Sequence, residues 1–313
     1  MSYTPLRINT IKPEIQIPFE LYIHFKDQYL CYQAQGLVIN KDKFKKLKKQ
    51  KVAKFYIKSQ DERLYQKFLD QLIQETLNSA ETPVEDKVVL MEEASSTAIE
   101  QIQKDPGSES SYKMTQTATG GLRKLITDNP TALKIMFEKK ALPHEVLVKH
   151  SLNVCLLATK LAEKLRLSDD EIQAVMTAAL MHDIGIPRSS EEAQNLFQKT
   201  KQKFTPDDRR HHKEHIESTL QIIKDKPYIK PLVIQLIQHH EEVLSGNGPY
   251  KQTKLNAAEE CLSLVNSYDK KILIGELSPK DALKELMVDE LGNYELKTLT
   301  KFKEVLQKEG LIL

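Results

Sequence analysis

The sequence has few cysteines, little net charge and no long apolar run. Its three cysteines, Cys31, Cys155 and Cys261, lie far apart and form no C-x-x-C pair. A zinc site held by sulfur is therefore not expected, and the thiols suggest a reducing compartment. The formal net charge of +2 on 313 residues provides no overall field for binding a nucleic-acid duplex.

No segment predicts a membrane span. The first residues lack the apolar core of a signal peptide, and apolar-rich runs such as 172–181 have about half the length that a bilayer requires. We therefore expect a cytoplasmic protein.

Residues 1–80 differ in character from the rest and predict a small α/β domain. Alternating and β-branched residues predict a hairpin of the segments 19–25 and 28–39 and a further strand at 52–57. An apolar stripe predicts a closing helix at 64–77. The segment 78–83, with Asn, Ser and Pro, is typical of a linker.

The segment 41–54 contains eight lysines and one aspartate. The pattern favours a solvated helix face, with an anionic docking surface as the alternative. A protein partner for the first domain is accordingly a hypothesis.

Residues 84–313 are helical in pattern almost throughout and predict an all-α bundle. Ser168 with Glu171 forms a capping box that opens a helix, and that helix ends in "ALMHDIG". The chain as a whole is therefore predicted to be mostly α, a helical bundle with a small N-terminal α/β domain.

The histidines are concentrated in the helical domain. His150 begins an apolar stripe, His182 and Asp183 end the next helix, and His239 and His240 end a later one. Eight of the nine histidines lie between residues 144 and 240, namely His144, His150, His182, His211, His212, His215, His239 and His240. Several helices can thus direct imidazoles into one cavity.

Imidazole suits iron, manganese and zinc, and a carboxylate can bridge two cations. Asp183 is the natural bridge among these histidines. Two ions about 3.5–4 Å apart can activate water and stabilise the oxygens on a phosphorus centre. Gly185 would let the chain turn tightly after the pair.

These motifs resemble the HD superfamily of metal-dependent phosphohydrolases and, within it, the HD-GYP family of cyclic di-GMP phosphodiesterases. The resemblance spans about residues 142–306. It implies an HD-type bundle with two metal ions, iron being expected and manganese the alternative. Its implied ligands are His150, His182, Asp183, His215, His239, His240 and Asn266, with His212 the alternative to His215 and Glu241 the acid behind the last pair.

The sequence departs from the family pattern at three places. Its Gly-Tyr-Pro loop is replaced by Gly248-Pro249-Tyr250, and the lysine after His-Asp-x-Gly is missing. The last aspartate falls on Asn266, a weaker neutral ligand, with Asp269 one turn on as the alternative. Family members with a third metal ion carry a glutamate where this sequence has Val146, so two ions are expected.

The resemblance implies hydrolysis of cyclic di-GMP with Asp183 and His182 at the catalytic centre. Arg188, the nearest cation after "HDIG", is expected to act in catalysis and in substrate binding. Gly248, Pro249 and Lys251 are the other candidates for substrate contact, although the loop could be only a turn.

Two other functions remain open from the sequence. The altered loop and Asn266 favour a catalytically weak or inactive module that binds cyclic di-GMP as a receptor or contacts a protein. An HD-type nucleotidase is the third alternative, and the tandem pair His239-His240 argues against it.

Overall fold

The computed structural model describes residues 2–199, 201 and 204–313 of the chain. By its internal contacts the chain divides into two compact units, Met1–Ala98 and Ile99–Leu313. This division falls inside one helix, Val84–Lys104, and not at the predicted linker 78–83. That a chain starting at residue 84 folds alone stays a prediction.

The first unit contains a four-stranded antiparallel sheet with the strand order β1-β4-β2-β3. The predicted hairpin is present, and Lys26 and Asp27 both have positive φ in its tight turn, as a type I′ connection requires. The strands are β1 Tyr3–Arg7, β2 Leu21–Phe25, β3 Gln28–Gln33 and β4 Lys54–Lys58.

Two helices of this unit follow from amphipathic patterns. The lysine-rich segment forms α1, Lys41–Lys49, whose Phe44 and Leu47 are buried while its lysines are exposed. The second helix, α2, spans Glu62–Asn78 and directs Tyr65 and Phe68 at the ring of Phe19. α1 therefore has the form of a solvated helix, and a partner for it stays a prediction.

The second unit is helical among its described residues. Its helices begin with the end of α3, Val84–Lys104, and continue with α4 Glu109–Asp128, α5 Ala132–Glu138, α6 Val146–Leu165, α7 Asp169–Met181, α8 Glu191–Leu196, α9 Pro206–His212, α10 Glu214–Ile223, α11 Pro231–His239, α12 Ala257–Leu273, α13 Pro279–Val288 and α14 Leu296–Lys308. The predicted fold class, a mostly α chain with a small N-terminal sheet, is confirmed.

The core of this unit forms where α6 packs against α7, α12 and α14 and where α11 packs against α7. The facing residues are apolar and almost fully buried, for example Leu157, Val175 and Leu264. Because α6, α7, α11 and α12 all contribute to this core, their polar residues at the same depth are brought together. Within the described residues no helix is both long and apolar enough to cross a membrane.

Candidate metal centre

Two helix ends bring the His182-Asp183 pair and His240 into the core. The capping box of Ser168 and Glu171 opens α7 as predicted, and the helix ends at Met181, directly before the pair. His240 follows α11 in the same manner. The side chains of His150, His182 and His240 have no exposed surface, and that of Asp183 is 1% exposed.

Gly185 is required for space and not for an unusual backbone. Its φ of −78° is available to any residue, which corrects the expectation of a special turn. A Cβ at this position would collide with the carbonyl oxygen of His215 and lie 2.5 Å from Oγ1 of Thr219. Glycine thus lets the segment after Asp183 lie directly against α10, which carries His215.

Four imidazoles have their Nδ1 atoms fixed in the same manner. For His182, His215 and His240 the acceptor is a backbone carbonyl, so Nδ1 carries the proton and donates it, and Nε2 keeps a lone pair. His150 faces an acceptor at both nitrogens, the carboxylate of Asp269 at Nδ1 and the amide oxygen of Asn266 at Nε2. The acceptors and distances are Oδ2 of Asp269 for His150 (2.7 Å), the carbonyl of Ala179 for His182 (2.8 Å), that of His212 for His215 (2.5 Å) and that of Ile237 for His240 (2.6 Å).

The Nε2 atoms of His150 and His182 form a first pair, and both lie near the same oxygen of Asp183. Oδ2 is 3.6 Å from Nε2 of His150 and 3.2 Å from Nε2 of His182. The two Nε2 atoms are only 3.1 Å apart. These two nitrogens, Oδ2 of Asp183 and the amide oxygen of Asn266, which is 2.9 Å from Nε2 of His150, are acceptors that a shared cation would satisfy together.

The second pair lies on the other oxygen of the same carboxylate. Oδ1 of Asp183 is 3.4 Å from Nε2 of His215 and 3.5 Å from Nε2 of His240, and these two nitrogens are 3.2 Å apart. Two imidazole ligands at about 2.1 Å from one ion and at a right angle would be separated by about 3.0 Å. Both pairs therefore have a spacing that suits a shared cation.

Neither carboxylate oxygen of Asp183 has a hydrogen-bond partner among the described residues, although both are buried. An unsatisfied buried carboxylate is costly. Burial alone would raise the pKa of Asp183, but the surrounding groups, the ammonium of Lys270 among them, hold that pKa well below its usual value. An ionised carboxylate that lies between two imidazole pairs and has no hydrogen-bond partner suits a bridging metal ligand, so these residues fit divalent metal ions.

Burial also keeps imidazoles of the second pair neutral. It lowers the pKa of His215 to about 3 and shifts the pKa of His240 in the same direction. Because only a neutral imidazole can ligate, both rings are in the ligating form at neutral pH.

Asn266 and Asp269 lie on opposite nitrogens of one ring. Oδ1 of Asn266 is 2.9 Å from Nε2 of His150, on the side that faces Asp183. Asp269 binds Nδ1 of the same ring and accepts a hydrogen bond of 2.8 Å from Asn153. The oxygen of Asn266 thus lies beside the first imidazole pair, and Asp269 is the residue that orients His150.

His212, the alternative to His215, lies in a neighbouring group with His215 and Glu241. Its Nε2 is 3.6 Å from Oε1 of Glu241. However, Glu241 is already ion-paired with Lys201 and, at 2.7 Å, with Lys270. This carboxylate is neutralised by ammonium groups, so the group is less suited to a cation than the two pairs around Asp183.

His239 is not brought together with the other predicted ligands. Its Nδ1 bonds to Oε1 of Glu259 at 2.5 Å, and it belongs to none of the groups of potential ligands found among the described residues. Glu259 also caps α12. His239 is thereby held against the start of α12.

The predicted substrate-binding residues are likewise not at the centre. Arg188 is exposed, and its guanidinium donates to the carbonyls of Lys104 (2.9 Å) and Ile184 (3.4 Å). Lys251 is also exposed. The structure therefore brings neither cation to the imidazole pairs.

The loop of Gly248 and Pro249 encloses the buried carboxylate of Glu242. The backbone N–H groups of Tyr250 and Gln252 donate to that carboxylate at 2.6 and 2.7 Å. A Cβ at Gly248 would lie 2.6 Å from the carboxyl carbon of Glu242 and 2.7 Å from its Cα. The glycine is thus explained by close packing.

The sequence interpretation missed Lys270. Its Nζ is 3.6 Å from Oδ2 of Asp183 and 2.7 Å from Glu241. Burial would lower its pKa, but the charges of Asp183 and Glu241 raise it, so the ammonium is charged. A signal was present, because Asn266, Asp269 and Lys270 share one face of α12 at i, i+3 and i+4.

The chain is similar to known proteins in the segment that carries most of these residues and in its fold. Residues 147–271 match the sequence model of the HD domain. Among solved structures, Bd1817, an HDG"Y"P protein from Bdellovibrio bacteriovorus, superposes with a TM-score of 0.74 at 24% identity over 98% of this chain and 100% of that one. The predicted resemblance is thus confirmed at the level of the HD domain and of the fold.

A second structure is more distant. The HD domain of the phosphodiesterase PgpH from L. monocytogenes, in complex with cyclic-di-AMP, matches with a TM-score of 0.36 at 14% identity over 56% of this chain and 92% of that one. No curated protein sequence gives a significant match.

Proposed function

We propose that this chain, which carries an HD domain at residues 147–271, is a metal-dependent phosphodiesterase of the HD-GYP type that hydrolyses cyclic di-GMP. The observation that carries the proposal is the division of four Nε2 atoms into two pairs, one beside each oxygen of the buried carboxylate of Asp183. This arrangement supports a centre of two divalent ions with Asp183 as the bridge.

The proposed ligands divide into two sets. His150, His182, Oδ2 of Asp183 and Asn266 would hold one ion, and His215, His240 and Oδ1 of Asp183 would hold the other. A set rich in imidazole with one carboxylate suits iron or manganese. When bound, such a pair of ions supplies Lewis acidity and an activated water for attack on a phosphodiester.

The protein's own residues would hold this geometry rigid. Each ring is fixed at Nδ1, so no imidazole has to be reoriented when it ligates. The apolar residues of α6, α7 and α11 exclude water behind the rings, which strengthens electrostatic interactions at the centre. Asp269 is a positioning residue, since it acts through His150.

A receptor that binds the nucleotide without hydrolysing it is the second candidate. Asn266 favours it, because an amide oxygen holds a divalent ion more weakly than a carboxylate does. It is also favoured by Arg188, whose guanidinium donates to backbone carbonyls. A nucleotidase is the third candidate, because the argument against it relied on His239, which lies apart from the two imidazole pairs.

Turnover by the full chain separates these functions. The protein would be loaded anaerobically with Fe²⁺, or with Mn²⁺, and incubated with cyclic di-GMP and separately with mononucleotides. The proposal predicts a linear dinucleotide, its loss in Asp183→Asn, and no release of phosphate from mononucleotides. Binding of cyclic di-GMP with no product would support the receptor, and phosphate release from mononucleotides alone would support the nucleotidase.

A further inference from the structure

A small pocket lies beside the candidate metal centre. It has a volume of about 40 Å³, and His212 and His215 form part of its wall. This volume admits roughly three waters, so a single phosphate group would fit but a nucleoside would not. Its distinguishing feature is a set of lysines, Lys199, Lys201, Lys270 and Lys271.

Lys270 connects this pocket to the centre. It lines the pocket, is 15% exposed, and lies 3.6 Å from the bridging oxygen Oδ2 of Asp183. A group that contacts both the pocket and Lys270 would therefore lie next to the proposed ions.

Two lysines share the carboxylate of Glu241 at this wall of the pocket. Lys201 and Lys270 both pair with this one buried carboxylate, whose Oε1 also accepts from Nδ2 of Asn266 at 3.1 Å. Lys271 differs, because Glu285 and Glu290 both neutralise it, at 2.7 and 2.6 Å. Lys201 and Lys270 are thus the cations available to an anion.

The chain offers no free cation to the centre from the segment after Asp183. It has no lysine after its His-Asp-x-Gly segment, and Arg188 donates to backbone carbonyls instead. Among the described residues that line the pocket, Lys270 is the cationic side chain nearest to Asp183. A phosphodiester brought to the imidazole pairs would therefore meet this lysine.

We propose that Lys270, assisted by Lys201, is the phosphate-contacting residue of this centre and supplies from α12 the positive charge that is missing after "HDIG". This inference rests on the proposed function for its substrate, a phosphodiester. An ammonium has three N–H donors, so Lys270 can hold Glu241 and still donate to a phosphate oxygen.

Binding of inorganic phosphate to the full metal-loaded chain, measured by calorimetry, tests the inference. Lys270→Met should weaken binding by about tenfold or more, as expected for a lost charge-assisted hydrogen bond. Lys270→Arg should keep most of the affinity, and Lys201→Met should lose less than Lys270→Met. The matched control is Lys254→Met, which removes an exposed lysine outside the pocket.

Metal content measured in parallel separates phosphate binding from a structural role. Lys270→Met should keep the metal content of the unaltered protein. Unchanged phosphate affinity in Lys270→Met, or no phosphate binding by the unaltered protein, would overturn the inference. A loss of phosphate affinity in Lys270→Met that is fully accounted for by a loss of metal would also overturn the inference.

The proposed function is tested separately by turnover. Weaker phosphate binding in Lys270→Met without hydrolysis of cyclic di-GMP by the unaltered protein would support the phosphate site and reject the enzyme. Hydrolysis that Lys270→Met leaves unchanged would support the enzyme and reject the phosphate site.

Discussion

Replacing Asp269 by asparagine tests the orientation of His150 without removing a proposed metal ligand. The carboxylate accepts from Nδ1 of His150 at 2.7 Å and from Asn153 at 2.8 Å, and it is fully buried. An asparagine has the same shape but one acceptor oxygen, so its amide group must face one of the two donors. The ring would then be free to adopt the tautomer in which Nε2 carries the proton and cannot ligate.

The size of the effect follows from these contacts. Loss of a residue that orients a metal-bound histidine costs about 10–100-fold in metal affinity, which corresponds to about 1.4–2.8 kcal/mol. Leaving one buried donor unpaired should also lower the free energy of unfolding of the metal-free protein by about 1–3 kcal/mol. Only the ion held by His150 should be affected, because the pair His215 and His240 does not contact Asp269.

Competition with a chelator, followed by metal analysis, measures this affinity. In Asp269→Asn one ion per chain should be lost at a lower chelator concentration than in the unaltered protein, while the second is retained. Asp225→Asn removes an exposed carboxylate and serves as the control. An unchanged chelator profile, or equal loss of both ions, would refute the assignment of Asp269 as the residue that orients His150.

Three further predictions concern the ligands themselves. Asp183→Asn should reduce the metal content from two ions to one or none without unfolding the protein, as shown by metal analysis and circular dichroism; full retention of both ions would mean that another residue bridges. His240→Gln should lose metal whereas His239→Gln should not, and equal losses would place both at the centre. The metal-free protein should lose stability as the pH falls from about 6.5 towards 3, because His215 has its pKa lowered to about 3 from 6.5 and the unfolded chain then binds the extra proton. Unfolding by urea at several pH values should show this slope reduced in His215→Gln by up to about 1.4 kcal/mol per pH unit; an unchanged slope would exclude titration of His215 as its cause.

The fold and the position of the His182-Asp183 pair could be predicted because they depend on local sequence. Apolar periodicity specifies the helices, and the capping box with the pair His182-Asp183 specifies where α7 begins and ends. The turn of the first hairpin needs only two residues, Lys26 and Asp27.

The directions of individual side chains could not be predicted in the same way. Consecutive helical residues point about 100° apart, so of His239 and His240 the one that faces Asp183 depends on how α11 packs. Arg188 is the nearest cation after "HDIG" in the sequence, yet its side chain is directed to the carbonyls of Lys104 and Ile184. Lys270 acts through partners far away in the sequence, Asp183 and Glu241, which no local pattern identifies.

The most direct test of two ions bridged by Asp183 is anomalous diffraction from crystals of the Mn²⁺- or Fe²⁺-loaded protein. The account predicts two anomalous peaks, one between His150, His182 and Oδ2 of Asp183 and the other between His215, His240 and Oδ1. A single peak, or a peak at His212 and Glu241 with none at Asp183, would contradict it.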